Sequence, residues 1–188
     1  MKDFIFSNDF SRNIDAMIYT CGYENCTPGH SYGPVLRNGY LIHYVLSGCG
    51  IYKARGKLFR LKEGDAFLIC PGELIYYEAD HKHPWTYTWI GMQGIKIQGY
   101  LERTCLLEKL VFHYGRDDQI RLCHEKMFEA DKLPCNRDLI MNQCHLDNFI
   151  ITGFLDAAGI CGPPLLRNQR FRIFFCMANK QICICFKK

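Results

Sequence analysis

Gly64-Asp65-Ala66-Phe67-Leu68-Ile69-Cys70-Pro71-Gly72-Glu73 is the stretch on which the fold turns. Gly64-Asp65 reads as a tight reversal into a strand, since glycine reaches backbone conformations closed to other residues and aspartate bonds back to nearby amides. Ala66 to Cys70 is an unbroken apolar run, the pattern of a strand covered on both faces. Pro71-Gly72 then turns the chain out again. A short strand between two such turns belongs to an antiparallel arrangement rather than to alternating strands and helices.

The same texture extends outward from Tyr40 to Gly91. Apolar runs at Tyr40 to Leu46, Ile51 to Ala54, Leu58 to Leu61, Ala66 to Cys70, Leu74 to Tyr77 and Trp85 to Ile90 are divided by Ser47-Gly48-Cys49-Gly50, Arg55-Gly56-Lys57, Lys62-Glu63-Gly64-Asp65, Pro71-Gly72-Glu73 and Asp80 to Pro84. An earlier strand is expected around Ala16 to Gly22. Evenly spaced short strands of this kind predict an antiparallel barrel or jelly roll. After Gly94 the periodicity becomes helical, with a short helix over Ile95 to Thr104. A second helix begins at Asp117-Asp118, whose acids suit a helix N-terminus, and carries Ile120, Cys123, Met127 and Phe128 at spacings of three and four. A third runs from about Asn136 to Phe154 through Leu139, Leu146, Phe149 and Ile150 before Pro163-Pro164 stops any helix. The fold class expected is α+β, a β-barrel over residues 1–94 followed by α-helices over 95–156 and a tail over 157–188.

Composition excludes several classes. The chain has 188 residues, 48% hydrophobic and 22% charged, which suits a folded domain and not a disordered chain. No apolar stretch approaches the roughly 18 residues of a membrane helix, and Met1 to Phe10 lacks the pattern of a secretion signal. We therefore expect a soluble, cytoplasmic protein without membrane partners. The 12 cysteines form no Cys-x-x-Cys pair, so a zinc ribbon or disulfide scaffold is not expected and most should be reduced, buried thiols. The net charge of +4 is unevenly placed: Arg167, Arg170, Arg172, Lys180, Lys187 and Lys188 occur after Pro164 with no acid, leaving 17 of the 23 basic residues against all 19 acids before it. The body thus lacks the basic footprint of a nucleic-acid surface, and the tail reads as a solvated extension. Its acid-free, Phe- and Cys-rich composition is equally that of a reading-frame change. The faint helix-turn-helix texture from Phe154 to Phe174 is broken by Pro163-Pro164, and Cys161, Cys176, Cys183 and Cys185 match no zinc module.

The Gly-Asp to Pro-Gly-Glu strand resembles the second motif of the cupin barrel. Together with Gly39-Tyr40-Leu41-Ile42-His43-Tyr44-Val45-Leu46-Ser47-Gly48-Cys49-Gly50 and Trp85-Thr86-Tyr87-Thr88-Trp89-Ile90-Gly91, it is similar to the N-terminal sensor domain of AraC-family transcription regulators. The resemblance continues through Phe112-His113-Tyr114 and Glu125-Lys126-Met127 and covers about Asp15 to Ile150. It implies a barrel that binds a small effector, often a sugar. It also implies helices that pair subunits, here through Leu139, Leu146, Phe149 and Ile150, as a homodimer or a mixed dimer with a full-length relative. DNA would be reached only through such a relative, because no match to the family's two helix-turn-helix units follows.

A stand-alone cupin enzyme, such as a sugar isomerase, is the competing reading. Metal-dependent cupins take a His-x-His pair and a carboxylate from the first motif and a histidine from the second. Here those regions read Arg37 to His43 and Ile75-Tyr76-Tyr77, so no metal and no cofactor is expected. His81-Lys82-His83 has the spacing but falls in a polar loop. Nor does the barrel segment show a nucleophile with a positioned base.

Aromatic surface is present instead. Residues two apart on a strand share a face, so Trp85, Tyr87 and Trp89 project together. Such a stripe serves either as core or as a ligand surface, with a π-face for a sugar's C–H groups and polar tips for its hydroxyls. The resemblance places Tyr87, Trp89 and Tyr77 where sugar-sensing relatives line the pocket, and Arg37 near a ligand-binding arginine. His43 is either a core histidine or a ligand contact. We expect a small polyol or sugar to bind against Trp89, Tyr87, Tyr77, Trp85, His43 and Arg37.

Overall fold

The computed structural model describes residues 4–7, 15–102, 104–114 and 117–133. The strands are β1 (Phe4–Ser7), β2 (Met17–Asn25), β3 (Ser31–Leu36), β4 (Tyr40–Ser47), β5 (Cys49–Ala54), β6 (Lys57–Lys62), β7 (Asp65–Ile69), β8 (Leu74–Ala79), β9 (Thr86–Gln93) and β10 (Val111–His113). The helices are α1 (Ile95–Leu101), α2 (Leu106–Lys109) and α3 (Asp117–Asp131). All strand pairs are antiparallel, in one sheet ordered β1-β2-β9-β4-β7-β10 and a second ordered β3-β8-β5-β6. The two sheets face each other as the predicted jelly roll.

The quoted turns do what their chemistry requires. Gly64 takes φ +84°, and a Cβ there would stand 2.6 Å from the His113 ring. The Lys62 N–H donates to Asp65 Oδ2 at 2.9 Å, which closes the reversal into β7. At the other end the Gly72 N–H donates to the Arg37 carbonyl at 2.9 Å, so the Pro-Gly turn holds the backbone that carries Arg37. Between them Ala66 to Ile69 are fully buried on both faces.

One face of β7 points between the sheets and the other toward the helices. Ile97 and Leu101 of α1, Leu106 of α2, and Ile120, Met127 and Ala130 of α3 are buried in the same apolar cluster as Ile18, Ile42 and Ile90. Each large apolar side chain buried this way contributes about 1.5–3 kcal/mol. Of the expected stripe, Ile120 and Met127 are buried and Phe128 is half-buried, and α3 packs on β2.

Three elements correct the strand and helix expectations. Ser31–Leu36 is a strand beyond those expected, and it accommodates Pro34 because β3 lies at a sheet edge and bulges between Tyr32 and Val35, where a missing N–H is tolerated. Val111–His113 falls in a region that reads as helical, yet it pairs with Asp65–Phe67 and adds an edge strand from beyond residue 94. The helix expected over Ile95 to Thr104 ends at Leu101, where the Thr104 hydroxyl donates to the Leu101 carbonyl at 2.7 Å and turns the chain. The helix from Asn136 to Phe154, with Leu139, Leu146, Phe149 and Ile150, and the tail over 157–188 lie outside the described residues.

Candidate functional site

His43 is the centre of an aromatic cluster between the sheets. It sits on β4 opposite Phe67 of β7 and Trp89 of β9, and cross-strand partners share a face. Its ring lies 4.7 Å from Phe67 at 6°, 6.1 Å from Trp89 at 24° and 5.1 Å from Tyr87 at 81°. From the facing sheet Tyr77 closes to 5.2 Å. Trp85 immediately precedes β9 and packs 6.0 Å from both Phe67 and Tyr87. Trp85, Tyr87 and Trp89 therefore do project together, as strand periodicity predicts.

Arg37 reaches the same cluster from the β3–β4 connection. Its guanidinium lies 4.4 Å over the Tyr32 ring, which stacks on Tyr77 at 5.4 Å. The Arg37 charge also partly offsets the rise that burial imposes on the Tyr77 phenol. Tyr77 packs edge-on against Tyr87, the rings 6.1 Å apart at 87°, and Tyr87 donates to Glu24 Oε2 at 2.9 Å. From Tyr87 the polar contacts continue to Glu24, whose Oε1 meets His30 Nε2 at 3.3 Å.

All six expected site residues meet here, and Phe67, Tyr32 and Glu24 join them. The rings are in mutual contact: Trp85, Tyr87, His43, Tyr77 and Trp89 are 0%, 2%, 2%, 3% and 9% exposed, with Trp89 nearest the rim. Burial, aided by the Arg37 charge, pulls His43 down to about 3, so its imidazole is neutral at pH 7. Burial pushes the Tyr77 and Tyr87 phenols well above their ordinary value. Among the described residues three side-chain polar atoms are buried without a hydrogen-bond partner, Arg37 Nε, His43 Nδ1 and Trp85 Nε1. Unpaired buried polar atoms each cost about 1–3 kcal/mol, while the rings around these three fill the space between the sheets, which is therefore not left open as the pocket the resemblance implies.

The cluster does not fit the cation site of metal-dependent cupins, because His43 is surrounded by rings and hydroxyls. Donors able to hold an ion gather at its margin instead: Glu24, Cys26 and His30 place one ligand atom each within 4.8 Å of one another. His81 is largely exposed and pairs with Glu78 at 3.3 Å, in a loop whose Asp80 accepts from the Lys82 and His83 amides. Surface depressions of about 290 Å³, beside Lys53, Leu58 and Leu74, and about 220 Å³, beside Arg60 and Asp80, lie away from the aromatic cluster.

Two antiparallel sheets closed over such an interior, entered by a Gly-Asp to Pro-Gly-Glu strand, define a cupin-type sandwich with helices on one side. The chain belongs to the AraC-like ligand-binding domain family, whose model matches residues 18–134. It is 34% identical over 114 residues to the Msm operon regulatory protein of Streptococcus mutans, covering 60% of this chain and 41% of that one. It is 28% identical over 149 residues to the raffinose operon transcriptional regulatory protein of Pediococcus pentosaceus, covering 78% and 53%. The lactose operon transcription activator of Staphylococcus xylosus is 34% identical over 104 residues, covering 55% and 37%. The chain spans about half the length of these curated relatives or less. Among solved structures, YhaK of Escherichia coli is similar with a TM-score of 0.43 and 19% identity over 50% of this chain and 45% of that one. No helix among the described residues is long and apolar enough to cross a membrane.

Proposed function

We propose that this chain is the sensor module of a cytoplasmic, sugar-responsive transcription regulator and that its effector is an uncharged sugar or polyol bound at the His43 cluster. The observation that carries the reading is the set of unpaired buried atoms Arg37 Nε, His43 Nδ1 and Trp85 Nε1 beside the rings of Trp89, Tyr87 and Tyr77. Arg37 Nε and Trp85 Nε1 donate, and neutral His43 donates or accepts according to tautomer. A sugar supplies hydroxyls of both kinds and C–H faces for the rings. Operon regulators named for raffinose and lactose among the relatives point the same way.

The rings are packed against each other, so binding proceeds by displacement at the rim, where Trp89 and half-buried Arg37 are the reachable groups. An effector that moves Arg37 also pulls on Gly72, whose amide holds the Arg37 carbonyl. In the assembled regulator that movement passes to the DNA-reading part, and subunits pair through the segment carrying Leu139, Leu146, Phe149 and Ile150. The module has no catalytic role in this scheme.

The test is titration of the protein with pentoses, hexoses and disaccharides while following Trp fluorescence and the melting temperature. Saturation at 100 times Kd adds about 2.7 kcal/mol of stability, readily visible in a melt. A response that is flat in both readouts across the panel overturns the reading. Sedimentation with and without the responding sugar measures the pairing.

A further inference from the structure

The margin of β2 brings together three chemically different ligand atoms from a short piece of chain. Glu24 lies on β2, Cys26 follows its end, and His30 closes the turn after it. The Glu24 carboxylate, Cys26 thiol and His30 imidazole stand within 4.8 Å of one another, Cys26 buried and the other two half-buried. We propose that Glu24, Cys26 and His30 hold a divalent transition-metal ion of borderline softness, Zn2+ before all others. The site is separate from the barrel-centre position that metal-dependent cupins use, and it is built from a different donor set.

The ligand types select the metal. A thiolate, an imidazole and a carboxylate suit Zn2+, whereas Ca2+ and Mg2+ demand oxygen donors. A tetrahedral ion at normal bond lengths wants its donors about 3.3–3.8 Å apart. Glu24 Oε1 and His30 Nε2 already stand at 3.3 Å. The widest separation therefore closes by only about 1 Å, within reach of small χ adjustments. Three protein ligands leave the fourth position to water or an outside ligand.

The backbone holds the ligands before any ion arrives. The Cys26 N–H donates to the Trp85 carbonyl at 3.2 Å, and the His30 N–H donates to the Thr27 carbonyl at 3.0 Å. The His30 carbonyl in turn accepts from the Ala79 N–H at 2.9 Å, tying the turn to the facing sheet. Gly29 permits that turn, with φ +71° and the His81 ring where a Cβ would lie. The carboxylate has an outer partner of the kind that orients metal ligands, because Tyr87 donates to Oε2 and leaves Oε1 turned to His30.

Binding balances as a proton exchange. The Cys26 thiol loses its proton to solvent, the His30 proton moves to Nδ1 so that Nε2 can ligate, and Glu24 ligates through Oε1. One proton leaves per ion, so apparent affinity rises about tenfold per pH unit below the thiol's own titration. A loaded site also draws on Tyr87, which donates to Glu24 and packs against His43 and Tyr77 in the aromatic cluster. That last consequence rests on the effector reading, whereas the ion site itself does not.

The experiment is a Co2+ titration of the reduced full chain without sugar, followed by thiolate-to-Co2+ charge-transfer and ligand-field absorption, then by displacement with Zn2+. The expected result is one thiolate-bound equivalent that is lost in Cys26→Ser and in His30→Gln and kept in Cys49→Ser. Tyr87→Phe should weaken the site about 10–100-fold. His30 is half-buried and its substitution leaves the core intact, so this variant decides the matter even where Cys26→Ser folds poorly. Absent thiolate bands, or bands of equal stoichiometry and affinity in parent and His30→Gln, overturn the proposal, the second because the ion is then held by other cysteines.

Discussion

His43 lies flat on Phe67, the rings 4.7 Å apart and 6° from parallel, on strands that pair these two residues directly. Stacking on an apolar ring with no partner at Nδ1 is an environment for a neutral imidazole. With its folded value near 3 against an ordinary 6.5, the unfolded chain takes up a proton that the folded protein refuses. The contribution to stability is therefore intact above about pH 6.5 and is lost as pH falls toward 3, by up to about 1.4 kcal/mol per pH unit. Melting temperatures measured from pH 7 to pH 4 should fall more steeply for the parent than for His43→Leu. Equal slopes would show that His43 is not held neutral by burial.

The two glycines with opposite surroundings should respond oppositely to alanine. A Cβ on Gly50 of β5 would stand 2.4 Å from the Trp85 ring, at a site with no room to yield. Gly50→Ala should cost about 1–3 kcal/mol and perturb Trp emission. Gly99 lies in α1 with nothing within 4 Å, so Gly99→Ala should raise stability by up to about 1 kcal/mol. Thermal melts of both variants check the pair, and a neutral Gly50→Ala counts against the packing of Trp85 on β5.

Arg55 fastens the second sheet to the helices. Its φ is 51°, and its guanidinium donates to both Glu73 oxygens and, at 2.6 Å, to the Leu107 carbonyl of α2. The Glu73 hydrogen bond raises Arg55 above its ordinary value. The Arg55 side chain is 38% exposed and Glu73 26%, so solvent screens the charge and the fork geometry matters more. Arg55→Lys keeps the charge and should still lose about 1 kcal/mol in chemical denaturation. An unchanged midpoint would mean that the clamp contributes nothing.

Effector affinity should depend on Arg37 more than folding does. Removing a charge-assisted hydrogen bond is worth about 1.5–3 kcal/mol, so Arg37→Met should weaken binding of the responding sugar about 10–100-fold. Calorimetry on the parent and the variant measures this directly. A variant that binds as the parent does removes Arg37 from the site.

Much of the cluster is visible in the chain because period-two alternation puts Trp85, Tyr87 and Trp89 on one face whatever lies opposite. Tyr77 and Arg37 are reached through family resemblance, and their convergence on His43 depends on sheets that face each other. Phe67 lies in an apolar run that declares a buried strand without saying which face meets which ring. Glu24, Cys26 and His30 lie close in sequence, and their spacing is itself a signal. They escape notice because a strand end followed by a turn does not announce that its side chains fold back toward one point.

What the residues alone determined is local. Gly64-Asp65 and Pro71-Gly72 dictate reversals through backbone conformation, and the runs between turns dictate strands through alternation and burial, both within a few residues. The tertiary structure decided the order in which strands lie. It set β9 between β2 and β4, drew Val111–His113 to the edge of β7, and joined Tyr87 to Glu24 across 63 positions of sequence. Such partners are chosen by which faces can be buried together and which hydroxyls can then be satisfied, a balance over the whole sandwich that no single window of sequence contains.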